Sequence, residues 1–114
     1  MMSEIQTVNQ DGIVILNLKG RVDATNSGQV HDKVMEEIKG GCNKMLINFS
    51  EVNYISSAGL RVLIFATKSF AKSSGSFAVC SLNENIMKIF EISGLVNLFA
   101  IHDDVETAVN SLNG

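Results

Sequence analysis

Apolar residues near the start of the chain follow the spacing of β-strands. Residues 4–8 alternate weakly between apolar and polar, whereas residues 13–18 are rich in β-branched side chains and almost continuously apolar, which is typical of a strand buried on both faces. Asp11-Gly12 lies between the two runs, and an Asp-Gly step favours a tight two-residue turn. The pattern therefore predicts an antiparallel hairpin.

The spacing becomes helical after Gly20. Val30, Val34 and Ile38 recur every fourth residue between polar positions, so they mark the buried face of a helix. A residue within 25–27 (Thr25, Asn26 or Ser27) is suited to cap its start, and Gly40-Gly41 ends it.

The remainder of the chain repeats this strand-then-helix order. Strands are predicted at residues 45–49, 77–80 and 98–101, with residues 50–57 as a loop after the first of them. The helix that follows this loop is predicted to bury Leu60, Leu63, Ile64, Thr67, Phe70 and Ala71. A third helix begins at Asn83 or Glu84 and a fourth follows Asp103-Asp104. The predicted fold class is α/β, with a mostly parallel central sheet of about five strands, an N-terminal antiparallel hairpin and about four helices.

Size and charge narrow the class of protein. A chain of 114 residues fits one domain, taken as residues 1–114, and its net charge of -3 comes without a Lys/Arg stripe, so a nucleic-acid partner is not expected. No apolar run approaches the roughly 20 residues of a membrane span, and no secretory signal pattern opens the chain. Cys42 and Cys80 lack the spacing of a metal site, so they are predicted to be free thiols in the cytoplasm, with no metal and no cofactor.

Candidate chemistry lies in two strand-to-helix loops, residues 20–27 and 54–61, because sites in parallel sheets gather at the carboxyl ends of the strands. In the second loop, Ser56 and Ser57 precede a helix whose first N–H groups have no partner inside the helix, and such a helix start attracts anions. Taken by itself, the pair is better explained if one serine is simply a helix cap, since caps are far commoner than phosphorylated serines.

Four segments in order resemble the STAS domain family, and within it the free-standing bacterial anti-sigma factor antagonists. They are residues 18–23 (LKGRVD), 48–63 (NFSEVNYISSAGLRVL), 74–77 (SGSF) and 90–95 (FEISGL). The resemblance extends over the whole chain. In family members, a serine two residues before a Gly-Leu pair is the phosphorylated position, and here that serine is Ser57.

The resemblance also implies a mechanism. The unphosphorylated protein would bind a serine kinase of the histidine-kinase-like ATPase fold that doubles as an anti-sigma factor, and so release the sigma factor. Phosphorylation at Ser57 would end this binding, and a PP2C-type phosphatase would restore it. The chain would be a substrate and ligand rather than an enzyme, and a monomer or weak dimer.

The expected partner-binding residues are Asp23, Thr25, Ser56, Ala58, Gly59 and Arg61. Asp23 matches an acidic residue that family members place toward the kinase, although a turn or cap role is equally open. Gly59 is expected to leave room for the partner and the phosphate. Arg61 lies four residues after Ser57, where it is either a phosphate contact or a solvated charge.

Two positions depart from the family pattern. Many members carry aspartate where this chain has Ser56, and serine or threonine where it has Ala58. Ser56 is therefore a competing acceptor of the phosphate.

Three alternatives remain open from the sequence. The same switch can serve a non-sigma output such as motility, biofilm or secretion control. The fold can also act as a small-molecule sensor. An enzyme using the serine loop as a nucleophile is the third, but no base or oxyanion partner can be assigned to it.

Overall fold

A tight hairpin opens the fold. In the computed structural model, which describes residues 4–114, β1 (Glu4–Gln10) pairs antiparallel with β2 (Ile13–Val22). Asp11 (φ 53°) and Gly12 (φ 81°) both lie in the left-handed region that a two-residue primed turn requires. The predicted hairpin is confirmed.

The other elements alternate as predicted. They are α1 (Ser27–Lys39), β3 (Lys44–Ile55), α2 (Ser57–Lys72), β4 (Ser76–Cys80), α3 (Glu84–Ile92), β5 (Ala100–His102) and α4 (Val105–Asn113). The strands lie side by side in the order β1-β2-β3-β4-β5, and β2 to β5 are parallel. The predicted fold class is therefore confirmed.

Both faces of the sheet are buried, each in its own apolar cluster. Val14, Leu16 and Leu18 of β2 point into the larger cluster together with α1, α2 and α3. Ile13 and Ile15, which alternate with them, point into a smaller cluster with α4. Burial on both faces explains why residues 13–18 read as a nearly continuous apolar run.

Three boundaries or faces differ from the prediction. β3 continues to Ile55, through most of the segment 50–57 that was predicted to be a loop. Val52 and Ile55 are buried there, and a register shift after Asn17 allows β2 to keep pairing with β3. In α2, Val62 and Ala66 are buried instead of Ala71, which is exposed. The last strand is residues 100–102 rather than 98–101.

Cys42 and Cys80 are free thiols, as predicted. Burial raises the pKa of both, which keeps them in the less reactive thiol form. Among residues 4–114, every helix is too short or too polar to cross a membrane.

Candidate functional site

The two predicted loops meet at the carboxyl edge of the sheet. β2 ends at Val22 and β3 at Ile55, and these two residues are neighbours in the strand register. The Ser56 N–H donates a hydrogen bond to the Val22 carbonyl oxygen at 2.9 Å. This bond ties the start of α2 directly to the end of β2.

Ser56 is the N-cap of α2. Its backbone is extended (φ -92°, ψ 175°), and its Oγ accepts a hydrogen bond from the Gly59 N–H at 3.4 Å. Its carbonyl oxygen accepts the Leu60 N–H at 2.9 Å, which is the first bond of the helix. The hydroxyl of Ser56 is thus half-buried and engaged in the fold.

Ser57 is the first residue inside α2, and it is exposed. Its hydroxyl makes no hydrogen bond to any other residue in the described range 4–114. The backbone N–H groups of Ser57 and Ala58 likewise have no acceptor in that range, as expected for the first turn of a helix. An accessible hydroxyl therefore stands beside two unused donors and the positive end of the helix dipole.

Gly59 faces the interior, which corrects the role expected of it. A Cβ on Gly59 would lie 2.6 Å from Ile55 Cγ1 and 2.9 Å from Val22 Cγ1. The missing side chain lets α2 approach β2 and β3, rather than leaving space for a partner or a phosphate at the surface.

Asp23 and Thr25 form a compact turn beside the serines. Asp23 Oδ1 accepts hydrogen bonds from the Thr25 hydroxyl at 2.6 Å and from the Thr25 N–H at 3.0 Å. These two bonds, followed by the attraction of the Arg21 guanidinium, lower the pKa of Asp23. Asp23 is consequently a fixed anion at the carboxyl edge.

Asn26 holds this turn together, a role that differs from the helix cap considered for it. It occupies the N-cap position of α1 but makes no capping side-chain bond. Its Oδ1 instead accepts the Asp23 N–H at 2.9 Å and its Nδ2 donates to the Arg21 carbonyl at 2.9 Å. Only 3% of Asn26 is exposed, and it is the buried polar residue on which the loop depends.

Arg21 and Tyr54 were not singled out from the sequence, yet they border the site. The Arg21 guanidinium lies 4.3 Å from the centre of the Tyr54 ring, and its Nε lies 3.7 Å from Asp23 Oδ2. The contact follows from their pairing across β2 and β3. The motif 18–23 contains Arg21, but only the register brings Tyr54 to it.

Arg61 lines a groove of about 390 Å³ between α1 and α2, along with Ala58. His31 packs against Phe65 in the same groove, with 4.5 Å between ring centres and the ring planes tilted by 37°. Arg61 is exposed and forms no ion pair with another residue of the described chain. Its cationic head is thus free for an incoming anion, one turn along α2 from Ser57.

The fold and this edge define the class of the chain: a small α/β domain with a hairpin-led sheet that presents the start of α2, with Ser57 exposed on it, at its carboxyl edge. The sequence matches the STAS domain family over residues 4–108. The chain belongs to the STAS domain family.

Two relatives carry names that agree with the resemblance. The candidate anti-sigma factor antagonist BtrV of Bordetella bronchiseptica is 31% identical over 98 residues, covering 86% of this chain and 84% of BtrV. The anti-sigma F factor antagonist of Paenibacillus polymyxa is 26% identical over 113 residues, covering 98% and 97%.

Solved structures share the whole fold. The crystal structure of a candidate anti-sigma factor antagonist from Thermotoga maritima superposes with a TM-score of 0.92 at 26% identity, covering 96% of this chain and 95% of that one. The Bacillus cell fate determinant SpoIIAA, solved in its phosphorylated form, superposes with a TM-score of 0.74 at 19% identity, covering 95% and 98%. At 19% identity, the similarity to SpoIIAA is a similarity of fold alone.

Proposed function

We propose that this protein is an anti-sigma factor antagonist that works as a phospho-switch at Ser57. The observation that carries the proposal is the division between the two serines. Ser56 is half-buried and caps α2, whereas Ser57 is exposed and its hydroxyl is unused within residues 4–114. A kinase can reach Ser57 without disturbing the fold.

The helix start is suited to hold a phosphate on Ser57. A phosphoserine adds roughly -1.5 to -2 charges and three acceptor oxygens. The unused N–H groups of Ser57 and Ala58 are available donors, and the helix dipole stabilises an adjacent anion by about 0.3–1 kcal/mol. Arg61 supplies a cation on the same side of α2. The phosphorylated domain should therefore stay folded.

The proposed partner is a serine kinase of the histidine-kinase-like ATPase fold that also acts as an anti-sigma factor. The names of the relatives support an anti-sigma factor as partner, and the phosphorylated form of SpoIIAA supports modification of a protein with this fold. A PP2C-type phosphatase would reverse the modification. The switch would operate in the cytoplasm, with the ATP held by the kinase, so that the chain is a substrate and ligand rather than an enzyme.

The charge of a phosphate on Ser57 would cause the protein to dissociate from the kinase. A kinase surface that covers the start of α2 would have to desolvate a doubly charged group when Ser57 is phosphorylated. A loss of about 3–4 kcal/mol weakens binding by two to three orders of magnitude. Asp23, fixed by Thr25 and flanking the serines, adds a negative charge that the kinase surface must match.

The experiment is a reaction of the purified protein with ATP and candidate kinases of that fold, followed by phosphopeptide mapping. Phosphate should appear on Ser57, with Ser56 at most a minor site. Phosphate found chiefly on Ser56 would contradict the proposal.

Calorimetric titration of Ser57 variants against the kinase separates an effect of charge on binding from an effect on folding. Ser57→Ala should bind the kinase as wild type does and resist ATP-driven dissociation, whereas Ser57→Asp should bind more weakly, although aspartate carries one charge where phosphate carries nearly two. Ser56→Ala is the matched control, because it alters the neighbouring hydroxyl without blocking the switch. Equal affinity of the folded Ser57→Ala and Ser57→Asp proteins, measured by calorimetry, would refute a charge-driven switch.

A further inference from the structure

In the part of the chain that the structure describes, the outer edge of β1 is an unpaired strand edge. β1 is the outermost strand on its side and spans seven residues, whereas the opposite edge strand, β5, spans three. Native sheets protect long edges with charges, prolines or bulges. Glu4 at the start of β1 is charged, but residues 5–10 carry no charge, the chain has no proline, and the β1–β2 register runs without a shift. Within residues 4–114, this edge is therefore open to another strand.

The hairpin decides which backbone groups face outward. In a two-residue hairpin the residues flanking the turn, here Gln10 and Ile13, form a hydrogen-bonded pair, and bonded and non-bonded pairs then alternate along the strands. Gln10, Val8 and Gln6 thus turn their N–H and C=O groups toward β2. Ile5, Thr7 and Asn9 turn theirs away from the sheet.

These outward residues are arranged symmetrically about Thr7. An antiparallel strand running past β1 with Thr7 opposite Thr7 also places Ile5 opposite Asn9 and Asn9 opposite Ile5. Each of these opposed pairs can exchange two N–H to C=O bonds, about six in all. A second copy of β1 fits this edge, because Glu4 then lies opposite Gln10 and no like charges are opposed between residues 4 and 10.

We propose that β1 pairs antiparallel with β1 of a second copy, across a twofold axis at Thr7, and joins two five-stranded sheets into one.

The side chains agree with this register. Thr7 opposite Thr7 is a favourable cross-strand pair. Val8, which is 37% exposed, becomes a diagonal neighbour of the second Val8 across the axis. Because residues 5–10 are uncharged, no like charges face each other along them. The pairing uses the edge of β1 and leaves the start of α2, which follows β3, accessible in both copies.

Sedimentation velocity of the purified protein tests the association. Wild type should show a monomer–dimer equilibrium at concentrations up to about 1 mM, the weak end of measurable affinity. Thr7→Lys sets two ammonium groups opposite each other at the axis, so it should weaken association at least tenfold. Asn85→Lys, at an exposed position of α3, makes the same charge change away from β1 and should associate as wild type does.

Thr7→Pro provides a second variant that acts on the backbone. The Thr7 N–H points away from β2, so proline removes a donor to the second copy without removing one from the β1–β2 ladder. It should remain folded by circular dichroism and be monomeric. Should Thr7→Pro unfold, the Thr7→Lys result decides.

Disulfide trapping tests the register. In a bonded antiparallel pair the two Cα atoms lie about 5.5 Å apart, within the range that a disulfide spans, so Thr7→Cys should give a covalent dimer on mild oxidation. Asn9→Cys faces the same edge, but its two copies would lie about 14 Å apart and should not crosslink. A strictly monomeric wild type, a Thr7→Lys protein that still associates, or equal trapping of both cysteine variants would overturn the proposal.

Discussion

Ser56 and Ser57 are neighbours in the chain, but their hydroxyls meet different surroundings. Ser56 Oγ accepts the Gly59 N–H inside the fold, whereas Ser57 Oγ faces solvent at the first residue of α2. The sequence showed that one of the pair could cap the helix. It could not show which, because the choice depends on where β3 ends, and β3 continues to Ile55.

Alanine substitutions should separate these roles in the free protein. Ser56→Ala removes the cap and should lower the free energy of unfolding by about 0.5–1 kcal/mol, at the low end for a cap because the 3.4 Å bond is long. Ser57→Ala should change it by less than about 0.5 kcal/mol, since an exposed hydroxyl without a partner is removed. Urea denaturation followed by circular dichroism measures both. A larger loss for Ser57→Ala would show that Ser57, and not Ser56, is the cap.

Asp23 should be sensitive to the hydroxyl of Thr25. That hydroxyl is the largest cause of the lowered pKa of Asp23, ahead of the Thr25 N–H and Arg21. Thr25→Val removes only the hydroxyl bond, so the pKa of Asp23 should rise toward its ordinary value. Carbon NMR titration of the carboxyl measures the shift, and Asp104, which is held by Thr107, should titrate unchanged in the same spectra. An unchanged Asp23 pKa would contradict this assignment.

The sign of the pH effect follows from the direction of that shift. The pKa of Asp23 is lower in the folded than in the unfolded protein, so ionised Asp23 favours the fold above the unfolded-state pKa. This contribution is lost as the pH falls through the folded-state pKa. Thr25→Val should therefore be less stable than wild type near neutral pH, and the difference should shrink in acid.

At the scale of elements, the position of α2 is set by the contact of its first turn with the ends of β2 and β3. Gly59 brings the first turn of the helix against Val22 and Ile55, the last residues of β2 and β3. The expectation that Gly59 leaves room for a partner and a phosphate therefore does not fit the structure.

Gly59→Ala should lower the free energy of unfolding by about 1–3 kcal/mol, because the new Cβ would overlap Ile55 and Val22 unless the helix moves. Gly28→Ala in α1 is the matched control. Its Cβ would meet nothing within 4 Å. The free energy of unfolding should therefore stay the same or rise by up to about 1 kcal/mol. Thermal and urea denaturation compare the two proteins. Equal stability of both variants would show that α2 does not depend on this close approach.

The hydrophobic pattern was sufficient to predict the order of elements, but not all of their limits. Nearly continuous apolar runs such as residues 13–18 are buried on both faces, and they can be recognised as strands from the local sequence alone. Residues 50–55 are mostly polar, since the far end of β3 is exposed at several positions, and they resemble a loop until β2 pairs with them. Likewise, the contact of Arg21 with Tyr54 and the two bonds of Asn26 depend on register and loop geometry, which no local pattern contains.

At the scale of the whole molecule, the two faces of the sheet are unequal. α1, α2 and α3 cover one face, and α4 alone closes the other over Ile13, Ile15, Leu46 and Ala78. Val109→Ala in α4 should therefore lower the free energy of unfolding by about 1–3 kcal/mol. Asn110→Ala, at the next and exposed position, should change it by less than about 0.5 kcal/mol.

Urea denaturation of the two α4 variants provides this comparison, with hydrogen exchange of Ile13 and Ile15 as a second reading. Faster amide exchange of Ile13 and Ile15 in Val109→Ala, but not in Asn110→Ala, would show that stability is lost at the face covered by α4. A Val109→Ala protein as stable as wild type would mean that α4 adds little to the core.

The strand order has a consequence for synthesis on the ribosome. Every strand from β2 to β5 lies beside the strand that precedes it in the chain, so none is inserted later between two others. The sheet can grow by addition at one edge as the polypeptide emerges, and each new strand finds its template already in place. Only the α4 face must wait until residues 105–113 have emerged, which makes it the surface that chaperones would meet on the unfinished sheet.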